Sequence, residues 1–340
     1  MKKLFVLMML FCSLSHSTYS QSEAELRFRI QKIVNKIEQE NIYKSAAVGY
    51  GAVRTAQWNR FEKMKKEASE LELVMLTDHQ NPVVRSYAFQ ALAERQSNAT
   101  FEILLNHLAD TAQLQTLQGC FMSSQTVGDF FLEVVTPRHI SLEAYKLNRA
   151  QRKTVDSLLL YDDKAKTRNR SALLQRLEKD RTHYERIRKI YLKEQDPHAL
   201  VALSKFRLEQ DKPFIIDWLT RTKTRDQYHG IMAARYFPDE EIYPLLVKIH
   251  QQEINKPGGF NYPLIRMLYC VLVQYPTEQT RKLLELSLQT KGATYRYHAQ
   301  YIWLALEKYP HPAFEGIQER IALTEFQLNS LSYWLEGDDG

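Results

Sequence analysis

His107 and Asp110 stand three residues apart on a stretch that reads as helix, a spacing that would put an imidazole and a carboxylate on one face for metal or proton chemistry. Two groups fall short of a metal site, which needs three or four ligands, and neither HExxH nor CxxC occurs, so the pair reads as a surface accident. His183, His198, His229, His250 and His298 are scattered, although a repeating fold could gather some of them on one ridge. Nucleophile signatures fail as well. Gly-x-Ser-x-Gly is absent, and Cys120 beside Gly119 lacks the surroundings of a cysteine hydrolase. Gly49-Tyr50-Gly51 continues as Ala52-Val53-Arg54, without the remaining glycine of a dinucleotide loop, and Lys256-Pro257-Gly258-Gly259-Phe260 reads as a connection within a helical hairpin. The acidic pairs Asp162-Asp163 and Glu240-Glu241 fall where solvated helix ends would put them. No catalytic residue, metal ligand or cofactor is assigned on these grounds, and a non-enzyme is expected.

Two surfaces remain that could recognise something. Between Lys146 and Lys193 the chain is rich in bases, Arg186, Arg188 and Lys189 among them, which could draw an anionic polymer such as glycan or nucleic acid. Glu178, Asp180, Glu185 and Glu194 interleave them, so a solvated helix face of mixed charge is the favoured reading. The run Tyr295-Arg296-Tyr297-His298-Ala299-Gln300-Tyr301-Ile302-Trp303 cannot turn every ring inward. Tyr295, Tyr297, Tyr301 and Trp303 are therefore candidate contacts for a protein or peptide partner, since aromatic side chains anchor such interfaces. Core packing is the competing account of them.

The elements that carry these surfaces are helices. Glycine and proline are scarce, and Leu, Glu, Lys, Gln and Ala are plentiful. Four segments share one pattern, a helix with small and aromatic residues, a break, then a second helix with paired aliphatics: Tyr87–Ala93 with Phe101–Leu105, Ile231–Tyr236 with Ile242–Leu246, Leu268–Leu272 with Leu283-Leu284, and Tyr301–Leu306 with Phe314–Ile317. His198–Leu203 with Phe214–Ile216 is a weaker copy. Phe206, Phe237, Tyr275 and Tyr309 close the first helices at a spacing typical of helical-hairpin repeats. Pro238, Pro276 and Pro310 follow three of them and stop the helix, after which Asp239 or Thr277 can cap the next. Leu264, Met267, Leu268, Val271, Leu272 and Tyr275 share one face, and only stacking of neighbouring hairpins would keep such faces dry.

Thr77-Asp78-His79-Gln80-Asn81-Pro82-Val83-Val84-Arg85-Ser86-Tyr87-Ala88 resembles the HEAT-repeat signature, in which an aspartate, a proline, a valine-arginine pair and an alanine open a repeat. With its leader, the chain resembles exported HEAT-like proteins of Bacteroidetes-type bacteria. The resemblance implies an all-α fold and a right-handed armadillo-like solenoid of antiparallel hairpins, and it supplies architecture without an assigned activity. Its physical content is local. Asn81 is a good N-cap, Pro82 suits the first turn, Val84 and Ala88 form a close-packing face, and Asp78 and Arg85 are read as fasteners between repeats. Residues 21–41 form an amphipathic cap, and residues 112–165 interrupt the array as either a binding insert or a degenerate repeat.

The first residues bear on compartment. Lys2 and Lys3, the short apolar run Leu4–Phe11 and the small residues before position 20 make a secretory leader, so the mature chain is expected as one domain over 21–340, periplasmic or extracellular. No later run approaches the ~20 apolar residues of a membrane helix. The net charge of +6 includes two bases of that leader, so the mature chain is nearer neutral. Cys120 and Cys270 are expected as two buried thiols, with a bridge the less favoured outcome. The expected function is a non-catalytic binding or scaffolding surface for a protein or peptide. A binder of anionic polymer through 146–193 and an enzyme built on a helical repeat are the alternatives.

Overall fold

The computed structural model describes residues 26–136, 143–165, 167–256, 261–290 and 294–336. The leader over 1–20, Pro137-Arg138 and the connection over 257–260 lie outside them. Contacts fall into two compact units, Met1–Leu147 and Asn148–Gly340.

In the first unit, helix α1 (Phe28–Glu40) buries the stripe Ile30, Ile33, Val34 and Ile37, and Asn41, at φ 47°, turns the chain out of the helix. Thr55 caps α2 (Ala56–Glu67). A reciprocal Ser69–Glu72 box caps α3 (Glu70–Leu76), where bonds from the Arg27 guanidinium, 2.6 Å away, hold the Glu72 carboxyl down to about 2. Helix α4 (Pro82–Glu94) begins as the sequence suggests, with the Asn81 side chain accepting from the Val83 and Val84 amides and proline in its first turn. From Val83 to Ala93 every residue of α4 except Arg85 is buried. Around it pack α1, α2, α3, α5 (Thr100–His107) and α6 (Val127–Val134).

The described residues are mostly helical, in keeping with the all-α expectation, but this unit adds a small sheet that the expectation lacked. Strands β1 (Tyr43–Val48), β2 (Gln113–Gly119) and β3 (Phe121–Thr126) form one sheet in that order, β1 parallel to β2 and β2 antiparallel to β3. The β2–β3 turn is Gly119-Cys120, with Gly119 at φ 56°, where glycine carries no steric cost. Much of the stretch read as an interruption is thus a β-hairpin running into α6. At that turn Cys120 is exposed, not buried, because a tight turn beyond the sheet offers nothing to pack against. Cys270 is buried, and no disulfide joins the two.

The Tyr87 hydroxyl joins sheet to helix: it accepts from the Lys44 amide at 2.8 Å and donates to the Lys44 carbonyl at 2.9 Å. Its ring lies 4.8 Å from Tyr43 and 5.0 Å from Phe61. Tyr87→Phe keeps the ring and strands both backbone groups, so it should cost about 1–3 kcal/mol. Urea denaturation of the variant measures this, and an unchanged midpoint would show that water replaces the hydroxyl.

The described residues of the second unit are helical: α7 (Arg149–Tyr161), α8 (Arg168–Arg176), α9 (Tyr184–Glu194), α10 (Pro197–Ser204), α11 (Lys212–Thr220), α12 (Thr224–Tyr236), α13 (Tyr243–Ile254), α14 (Tyr262–Leu272), α15 (Glu278–Ser287), α16 (Tyr295–Lys308) and α17 (Glu325–Glu336). Contacts pass in turn from α8 to α10, α12, α14 and α16, and α9, α11, α13 and α15 pack beside that row. The row is the apolar part: α10 is buried over Ala199–Ser204 and α14 over Leu264–Leu272. Close approach needs small residues, and a Cβ on Gly230 would stand 3.0 Å from the Leu219 amide nitrogen. Thr277 caps α15 as expected. Asp239 does not cap α13, because its carboxylate accepts from the Glu241 amide in the turn before that helix. The helix expected at Phe314–Ile317 is also absent. Two 3-10 turns, Pro312–Phe314 and Gln318–Arg320, flank Gly316 at φ 80°. No helix among the described residues is long and apolar enough to cross a membrane.

Candidate functional site

The residues singled out from sequence fall into three separate places. In the first unit, Arg85 stands with Nε 3.0 Å from Asp110 and donates through Nη1 to the carbonyls of His79 and Gln80 at 2.7 and 3.1 Å. Asp78 is 3.3 Å from His107, and His107 is 3.6 Å from Asp110. His107 and Asp110 are therefore links in a chain of four charged or polar groups, not an isolated surface pair. Burial pushes the Asp110 carboxyl up, but hydrogen bonds from His107 and the Ala112 amide and the charge of Arg85 outweigh it and bring the group below its usual range. The arrangement joins the turn before α4 to the end of α5, with Pro82 in the first turn of α4.

On α9 the basic stretch meets acids. Asp163 bonds Arg186 and faces Lys193 at 3.2 Å and Lys189 at 3.8 Å, and the Arg186 bond in particular holds its carboxyl well below the ordinary range. Arg170 pairs with Glu194 and Arg176 with Asp156. Arg188 approaches the buried Asp211 at 3.5 Å, with its guanidinium 5.8 Å from the Phe214 ring. An open groove of about 370 Å³ lies against this helix, lined by Glu185, Arg188, Lys189, Leu192 and Lys193. Most of its charge is balanced by neighbours, and of the interleaving acids Glu194 contributes by pairing with Arg170. Asp156, Asp163 and Asp211 do the rest, two of them brought in from helix ends that the spacing of bases on one helix could not reveal.

The aromatic run lies on α16 and does not act as one patch. Tyr297 and Tyr301 are four residues apart on one face, while Tyr295 and Trp303, each two residues removed, are carried about 200° around the helix. Tyr262 of α14 meets Tyr297 edge-on at 4.5 Å, and Tyr297 lies 6.2 Å from Tyr301. Arg296 donates to the Tyr297 hydroxyl at 2.6 Å. Burial raises the Tyr301 hydroxyl, and Arg266 is the neighbouring charge that opposes the rise.

Arg266 is the residue that sequence reasoning missed, because it sits inside an apolar helix where a base looks like noise. It is 7% exposed, and its guanidinium carbon lies 3.1 Å from the centre of the Trp334 ring of α17. Its Nε is enclosed without a hydrogen-bond partner, and no carboxylate among the described residues pairs with it. Stacking on tryptophan returns about 2 kcal/mol or more when desolvated. Full removal of a guanidinium from water without an ion partner costs several kcal/mol, and of the three nitrogens here Nε is the enclosed one. A structural arginine in such a place ordinarily has an acid beside it, as Arg170 has Glu194. The result is a largely covered positive charge with Trp334 over it and Tyr301 near it, Tyr301 leading on to Tyr297 and Tyr262.

Comparison with protein-family models, with curated proteins and with solved structures gives no match.

Proposed function

We propose that the protein is a non-catalytic binding protein that offers the Tyr297/Tyr301 face of its second unit to a protein or peptide partner. The observation that carries this is the Arg266 charge, stacked on Trp334 with no carboxylate partner among the described residues, beside the linked rings of Tyr262, Tyr297 and Tyr301, the composition of an interface anchor. The succession of contacts along α8, α10, α12, α14 and α16 supports reading that unit as a HEAT-like helical-repeat array, which would present the face on a rigid support. Read as an export leader, the opening residues would put the partner in the periplasm or outside the cell.

Two baits carried through the same capture from a native envelope fraction test the reading. Tyr297→Ala/Tyr301→Ala should lose its partner at least tenfold, about 1.4 kcal/mol or more, while Lys189→Gln/Lys193→Gln should retain it. The α9 groove supports a second reading, binding of an anionic polymer through Arg188, Lys189 and Lys193. That reading gains if the lysine variant alone loses its catch and if binding collapses as salt rises. Retrieval of anionic polymer only would end the first.

A further inference from the structure

The geometry points to Arg266 as the receptor for a carboxylate, the carboxyl terminus of a peptide whose last side chain is apolar or aromatic. The inference rests on the proposed binding face and names the chemistry it takes.

Charge sets the class of ligand. Arg266 supplies one positive charge under Trp334 and near Tyr301, followed by the rings of Tyr297 and Tyr262, and Arg296 stands 4.6 Å from the Tyr297 ring centre. A singly charged carboxylate balances one guanidinium, whereas a phosphate dianion would leave negative charge against tyrosine hydroxyls and indole. The planar fork of arginine also matches the two oxygens of a carboxylate. With Nε enclosed, the terminal nitrogens are the part of the fork left for a ligand.

Shape sets the source. Arg266 is only 7% exposed and Trp334 covers its guanidinium, so what reaches the terminal nitrogens must be narrow. A chain end can enter, while a glutamate in mid-chain would bring continuing backbone against the rings. A terminal carboxylate also carries its own side chain one carbon away, where the edges of Tyr297 and Tyr301 could take an apolar group.

The test uses the full-length protein and a matched pair of probes, N-acetyl-alanyl-phenylalanine with a free carboxylate and the same dipeptide amidated, titrated by calorimetry at pH 7. The free acid should bind at least tenfold more tightly than the amide, and N-acetyl-glutamate amide, which offers a side-chain carboxylate, should resemble the amide. Arg266→Met, with its fold checked by circular dichroism, should reduce binding of the free acid at least tenfold. Equal affinity for acid and amide in the wild-type protein would overturn the assignment whatever the variant does, as would undiminished binding by folded Arg266→Met. Preference for the glutamate probe would overturn the chain-end source. If the free acid binds as described but partner capture ignores Tyr297→Ala/Tyr301→Ala, the proposed face fails and the carboxylate site stands. The reverse pattern leaves the face and removes the carboxylate.

Discussion

Between pH 7 and pH 4.5 the second unit should lose on the order of 5 kcal/mol of stability, mostly through His250 and His298. The sequence shows these two as unrelated positions, yet folding lines them up across adjoining helices. His250 meets the Ser287 hydroxyl at 3.0 Å, and His298 Nδ1 meets the Tyr269 hydroxyl at 2.6 Å. Ser287 already donates its proton to the Leu283 carbonyl at 2.9 Å, so His250 must donate through Nε2, which leaves Nδ1 as a bare acceptor enclosed in the core. All four side chains are buried, and burial pushes both imidazoles down to about 4. The sign follows. In the unfolded chain each ring takes a proton near pH 6.5, and in the folded chain only near 4, so the unfolded state binds more protons between those values. Stability is full above about 6.5, falls as pH drops towards about 4, and has no further contribution from these rings below that. Burial also lowers His198 and His229 of the same unit, which adds in the same direction. Two measurements check this: the NMR titration of the two rings, expected near pH 4, and proton uptake on unfolding at pH 5, expected at about two per molecule from this pair. Ring titrations near 6.5, or a denaturation midpoint flat over the window, would refute it.

Gly128→Val should damage the first unit by about 3 kcal/mol or more. Gly128 lies in the first turn of α6, and a Cβ there would stand 2.7 Å from the His107 carbonyl oxygen and 2.8 Å from that of Leu108. Those neighbours are backbone at the end of α5 and cannot rotate away. The same place is fixed by amide bonds from Val127 to the Ala112 carbonyl and from Gly128 to the Asp110 carbonyl, both 3.0 Å. Separating the helices enough to admit a side chain would stretch those bonds and disturb the stacked rings of Phe89 and Phe131, 4.0 Å apart. Gly128→Ala recovers about 1 kcal/mol of helix propensity and should be milder. Gly119→Ala provides the contrast, since a Cβ there meets nothing within 4 Å and only the positive φ opposes it. Thermal denaturation of the three variants would rank them Gly128→Val worst, and a Gly128→Val protein as stable as wild type would mean that α5 and α6 do not approach as described.

What could be read without coordinates was local. Helix faces repeat every three or four residues, and caps act within a single turn, so Asn81-Pro82, Thr277 and the stripe of α1 were legible from the letters alone. The strands were not. Tyr43 pairs with Thr116, and the alternation that marks β2, buried Leu114 and Thr116 between exposed glutamines, is short and carried by polar residues that look like loop. Gly128 was legible as a loop glycine, and only the neighbouring carbonyls show it to be a helix contact.

The candidate site divides the same way. Tyr297 and Tyr301 could be picked out because an excess of rings on one helix is a property of the run itself. Arg266, Trp334 and the carboxylate partners of α9 could not, because charge balance is a property of space. A base inside an apolar helix has the same letter whether or not an acid reaches it, and chain folding alone settled that Asp163 gathers three bases while Arg266 lies under a tryptophan with no carboxylate partner among the described residues.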